Sequence, residues 1–298
     1  MEVSKKRALV DEPELLGAQP WTQIVLGVPF GLFAASVAGI TQVGFAYGIQ
    51  GATTWQQALA TTWPGQPIGM MLQIVAASAV MTFVVKCLAR RPVYELERRG
   101  AFREFSYGAL VGVGVVAAAV ALLFLLGSYR TTGIVVGRGL LSGLFLGLGS
   151  AFGEEVVMRG ILLRVLVGKI GTMPALILTS MTFGLLHLGN PGVSIVNTIG
   201  IALQAGFLFG SAYLLTRRLW LVIGMHAAWN FTQTAVFGLN VSGVPTEPGL
   251  FIAEVQGSDW LTGGRIGIEG SALMIVLGVI VSALLLRASR RTQIRPFH

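Results

Sequence analysis

The chain has 298 residues, 54% hydrophobic and 11% charged, with a mean hydropathy of +0.74 and a formal net charge of +8. Soluble domains carry about 25% charged residues, so this deficit excludes an ordinary soluble fold and points to a polytopic membrane protein. The basic residues cluster between apolar runs, as in loops that face anionic lipid; no basic groove with interleaved aromatics marks a nucleic-acid site.

A membrane-spanning helix needs about 20 apolar residues. Eight runs qualify, at about 22–47, 67–88, 107–127, 139–167, 173–188, 194–216, 219–238 and 269–287, and they predict an all-α, polytopic fold of about eight transmembrane helices. Lys5, Lys6 and Arg7 precede the first run. Asp11, Glu12 and Glu14 intervene, however, and the run is too long for a signal-peptide core, so no cleavable signal is expected. Trp21 and Trp220 stand at run edges, where interfacial tryptophan belongs. The single cysteine, Cys87, cannot form an intramolecular disulfide and is expected as a small buried apolar residue. Gly108/Gly112 and Gly206/Gly210 have the small-xxx-small spacing of close helix packing. The Gly- and Pro-rich stretch after the seventh run reads as a loop, and its Asn240-Val241-Ser242 fits a glycosylation sequon. No internal repeat is visible, which weighs against an inverted-repeat transporter.

Loop charge sets the orientation. Seventeen Lys and Arg fall at the N-terminus, in the second-to-third, fourth-to-fifth and sixth-to-seventh connections, and in the C-terminal tail. Only Arg130, Arg138 and Arg265 fall on the opposite side. The positive-inside bias therefore predicts a multi-pass protein of the cell membrane with both termini cytoplasmic.

The fourth run contains two adjacent acids, Glu154 and Glu155, followed by Arg159. A carboxylate at bilayer depth costs roughly 2.5–3.5 kcal/mol on insertion scales, so its presence argues function. Glu155 and Arg159 have the favoured i,i+4 order for an ion pair. Glu154 points about 100° away, which leaves it free for chemistry. Two of the three histidines, His187 and His226, also lie in apolar helices; the third, His298, ends the chain. A hairpin turn at Ile170-Gly171 would put Glu154 and His187 each about 24 Å from the turn, at matched height on antiparallel helices. Phe183, one turn before His187, fits beneath it. His226 and Asn230 share a helix face and together offer hydrogen-bond donors to a developing oxyanion. A desolvated glutamate suits a general base, so these parts fit amide hydrolysis by activated water without a protein nucleophile. No H-E-x-x-H helix exists, and Asp11 and Asp259, the only aspartates, lie outside the runs. Ser180 and Ser211 lie in helices, but no arrangement singles either out.

Glu154-Glu155-x3-Arg159, Phe183-x3-His187 and His226-x3-Asn230, in that order, resemble the CPBP intramembrane proteases, the CAAX prenyl protease 2 and ABI group. Leu261-Thr262-Gly263-Gly264, Gly267 and Glu269-Gly270-Ser271 also look like bacterial members. The resemblance implies an eight-helix membrane fold, Glu154 as base assisted by His187, His226 and Asn230 as oxyanion site, and Glu155 and Arg159 in support. It does not supply the substrate; a membrane-embedded or lipid-anchored peptide or protein is expected, with no cofactor. The chain is expected to be a single membrane domain over 1–298, with a catalytic core at 139–238. Two other readings stay open. Glu154, His187 and His226 are a possible zinc set, with His and carboxylate ligands and an open position. Intramembrane Glu and His also build proton relays, so the second is a transporter or a non-catalytic membrane scaffold or immunity protein. Because the fourth run extends beyond what the core needs, a cavity reached from the cytoplasm is expected.

Overall fold

A computed structural model describes residues 16–54, 57–58, 63–244 and 246–294. Lys5, Lys6, Arg7, Asp11, Glu12, Glu14, Arg295 and His298 lie outside the described residues. A helix stands at each of the eight expected places. These are α1 (Pro20–Gly48), α2 (Gly65–Leu88), α3 (Ala101–Leu125), α4 (Arg138–Ile170), α5 (Thr172–Leu186), α6 (Ile195–Thr216), α7 (Leu219–Phe231) and α8 (Ala272–Ile294). Among the described residues six are long and apolar enough to cross a membrane, namely α1, α2, α3, α4, α6 and α8. α5 is apolar but shorter, and α7 runs on past Phe231 as a π-helical turn over Thr232–Val236.

The surface carries the apolar residues that a lipid-facing bundle needs. Val25, Phe33, Val75, Leu110 and Phe124 are each more than 60% exposed. The interior instead holds Gln73, Glu155, Arg159, Gln204 and Gln233, all buried. Polar groups at membrane depth face the bundle interior, where other protein groups can satisfy them.

Small residues let the helices approach closely. A Cβ on Gly108 would stand 1.9 Å from the Leu221 carbonyl oxygen, and one on Gly112 2.2 Å from that of Met225, so α3 rides directly on the α7 backbone. Gly206 and Gly210 bring α6 against Ser180 and Leu176 of α5 in the same way. Gly171 is the single residue between α4 and α5, at φ 84° and ψ 166°, a conformation in which a side chain would be strained. That turn folds α4 and α5 into the expected hairpin.

Two short strands are additions to the all-helical expectation. β1 (Tyr129–Ile134) pairs antiparallel with β2 (Phe251–Val255), with an irregularity between Thr131 and Gly133. The α3–α4 and α7–α8 connections therefore lie at the same end of the bundle, opposite the basic connections. The Tyr129 hydroxyl donates to the Phe237 carbonyl at 3.1 Å and ties this ribbon to the end of α7. Desolvation pushes the Tyr129 phenol above its ordinary range.

One expectation needs correction. Cys87 is exposed, not buried: it lies on the outward face of the last turn of α2. Glu95, in the connection between α2 and α3, is fully buried, where it pairs with Arg91 and with Arg164 of α4 at 3.5 Å. Arg164 Nη2 also donates to the Gln23 side chain of α1 at 2.6 Å. This polar knot closes the basic end of the bundle.

Candidate active site

α4 delivers both acids to the bundle interior, and its backbone passes from α-helix to a π-helical stretch, Val156–Leu163, immediately after them. Such π segments widen the helix and recur at functional sites. Glu155 is fully buried, and its Oε1 accepts from Arg159 Nη1 at 3.0 Å. The expected i,i+4 pair is present. The same oxygen lies 2.8 Å from His226 Nδ1 of α7, which was not expected. Arg159 Nη2 donates to the Gly206 carbonyl of α6 at 3.0 Å, and the guanidinium lies over the Phe183 ring at 4.6 Å and the Phe209 ring at 5.6 Å. One charged pair thereby joins α4, α6 and α7 through hydrogen bonds, and its cation packs on α5 through Phe183.

Glu154 differs from its neighbour. Among the described residues its carboxylate makes no hydrogen bond or ion pair, and its Oε2 is buried without a partner. It lines two adjoining cavities. The first, of about 110 Å³, is bordered also by Ser150, His187, His226, Asn230 and Glu269. That volume is well above the roughly 10–15 Å³ that one water requires. The second, of about 250 Å³, runs from Glu154 and His187 to Leu32 and Ala35 of α1 and Leu186 of α5.

His187 closes α5 as its C-cap residue. Its Nδ1 lies 2.8 Å from the Phe183 carbonyl oxygen, an acceptor only, so Nδ1 carries a proton and Nε2 is left for the cavity. The Phe183 ring is 4.8 Å from the His187 ring, as its spacing suggested, and 6.3 Å from that of His226. Phe209 stacks on His226 at 4.5 Å. With Nδ1–H turned to Glu155, His226 also has Nε2 remaining. Asn230 does not bond His226; its Nδ2 donates to Ser150 Oγ at 2.9 Å, which uses one of its two amide protons.

All six sequence-derived positions thus converge. Glu154, His187, His226 and Asn230 line one cavity, and Glu155 and Arg159 lie behind it. Among the described residues no three His, Cys, Asp or Glu side chains are arranged to hold a metal ion. Serine 150, one helical turn before Glu154, was missed although i,i+4 spacing pointed to it. Ser242 and Glu269, named in the sequence only within a sequon and a family-like stretch, were not read as site residues because they arrive from the α7–α8 connection, which folds back over the site. The cavity abuts the end of the bundle opposite the basic connections, and its second lobe reaches sideways between α1 and α5.

Residues 136–232 match the family model described as type II CAAX prenyl endopeptidase Rce1-like. No curated protein and no solved structure matches the chain. The matched stretch holds α4 to α7 almost whole and every one of the six converging residues. Over residues 136–232 the chain is similar to the CAAX-type intramembrane proteases that this model describes.

Proposed function

We propose that this protein hydrolyses a peptide bond of a membrane-associated, lipid-anchored protein or peptide with water activated by Glu154. One observation carries the reading: among the described residues Glu154 is a carboxylate without a hydrogen-bond or ion-pair partner, on a cavity large enough for water, while the adjacent Glu155 is occupied by Arg159 and His226. Glu154 takes a proton from water held between it and His187 Nε2. The resulting hydroxide attacks the scissile carbonyl. Asn230 supplies its second amide proton to the oxyanion, and His226, doubly protonated against Glu155, supplies Nε2–H. Glu154 then passes its proton to the leaving amine as the C–N bond breaks, and the new carboxylic acid gives its own proton to the amine, so the products are a carboxylate and an ammonium. A general base of this kind contributes typically 10²–10⁴-fold, and each oxyanion donor about 10²–10³-fold.

The family description names prenyl endopeptidases, so a prenylated C-terminal segment is the substrate class proposed. The second cavity suits such a substrate, because Leu32, Ala35 and Leu186 carry it from Glu154 toward the lipid-facing surface. The chain acts as a single membrane domain with its catalytic core at 139–238, in the cell membrane, with both termini cytoplasmic. Purified protein in proteoliposomes, given a farnesylated CAAX peptide, is expected to release the C-terminal tripeptide, identified by mass spectrometry. A zinc chelator should leave that rate unchanged. Chelator-sensitive cleavage restored by zinc would replace this mechanism with a metal-dependent one, in which Glu154, His187 and His226 are the ligands. Absence of cleavage with intact folding would reject the prenyl substrate class.

A further inference from the structure

The mechanism leaves a buried acid at the edge of the cavity unused. Glu269 stands three residues before α8, is 4% exposed, and borders the first cavity. Its two oxygens have separate partners. Oε1 accepts from the Trp229 indole Nε1 at 2.9 Å. Oε2 accepts both the backbone N–H and the hydroxyl of Ser242, each at 2.6 Å. Ser242 lies at the tip of the returning loop in a left-handed conformation, φ 48°, and is followed by Gly243 at φ 81°. Its carbonyl is held from the other side by Asn190 Nδ2 at 2.9 Å, three residues beyond His187. Val241, Ser242 and Val244 face the cavity as its roof. A non-glycine residue in this backbone region needs outside support, and these bonds supply it.

We infer that Glu269 is a positioning residue, which clamps the Ser242 turn over the cavity and at the same time fixes Trp229, the neighbour of the oxyanion-site residue Asn230. One carboxylate accepting three donors couples the roof of the site to the helix that carries His226 and Asn230. A neutral amide cannot replace it. Glutamine at this position keeps one acceptor oxygen but turns an NH₂ toward a donor, so one of the two attachments fails. With the roof lifted, substrate held against it binds less well, while Glu154 and its water are untouched.

This inference rests on the proposed protease reading, and two measurements separate their failures. The first needs no activity. In a Cys87→Ser background, Val241→Cys places a reporter at a position 6% exposed. Maleimide labelling of that cysteine is expected to accelerate at least tenfold when Glu269→Gln is added, and to stay unchanged when Glu154→Gln is added instead. The second is cleavage of the farnesylated peptide. Glu269→Gln should lower kcat/KM at least tenfold, with most of the loss in KM, and Ser242→Ala, which keeps the backbone bond, should lower it less. Unchanged labelling in a folded Glu269→Gln protein would overturn the clamp, whatever the activity shows. Faster labelling with unaltered KM would retain the clamp but overturn its part in substrate positioning. Labelling as expected with no cleavage by the parent protein would refute the protease reading and leave the clamp standing.

Discussion

Arg159→Met removes the cation that neutralises Glu155 without removing the bulk on which Phe183 and Phe209 pack. Arg159 is 2% exposed and Glu155 fully buried, so the change leaves a carboxylate in the bundle with His226 as its one remaining hydrogen-bond partner among the described residues. Breaking a buried pair by removing one partner costs about 3–5 kcal/mol. The Gly206 carbonyl, which accepts from Arg159 Nη2, loses its bond as well and adds about 1 kcal/mol. The sum approaches the whole stability of many proteins, about 5–15 kcal/mol. The assay is tryptophan fluorescence across an SDS titration, with Glu155→Gln and the double variant measured beside it. The double variant should lose at least about 2 kcal/mol less than the sum of the singles, because it leaves no unpaired charge behind. A loss below about 1 kcal/mol for Arg159→Met, or strict additivity, would refute the claim that this pair holds α4, α6 and α7 together.

Three other outcomes follow from the same geometry. Gly108→Ala would push α3 away from the Leu221 carbonyl, against which a Cβ would stand at 1.9 Å; a fall in the SDS midpoint checks this, and an unchanged midpoint contradicts the packing. His187→Ala should reduce cleavage of the farnesylated peptide by about 10²–10⁴-fold with little loss of stability, since its one side-chain hydrogen bond among the described residues is to its own helix, whereas His226→Ala should reduce both. Asn230→Ala should lower kcat by about 10²–10³-fold with KM nearly constant, as for a donor used only in the transition state.

The sequence made the spans legible because lipid demands long apolar runs, and each of the eight expected helices is present within a few residues at most ends. The acidic pair, both histidines and Asn230 were legible for the opposite reason: polar residues are expensive there and therefore few. Helix rotation was not legible. When a helix faces apolar protein on one side and lipid on the other, no polar stripe marks its outer face, so Cys87 was assigned to the interior. Partner choice was not legible either, since His226 is far from Glu155 in sequence and only the α4–α7 packing puts them 2.8 Å apart. Ser242 and Glu269 come from a Gly-rich connection whose path depends on left-handed turns and a two-stranded ribbon, neither of which has a periodicity to read.

The central claim is the division of labour between the two adjacent glutamates. The most direct test compares Glu154→Gln with Glu155→Gln in proteoliposomes, measuring peptide cleavage and the SDS midpoint on the same preparations. The account predicts that Glu154→Gln folds as the parent does and cleaves about 10²–10⁴-fold more slowly. It predicts that Glu155→Gln loses stability together with activity, because Arg159 and His226 lose their shared anion. A Glu154→Gln protein that cleaves within a few fold of the parent would contradict it.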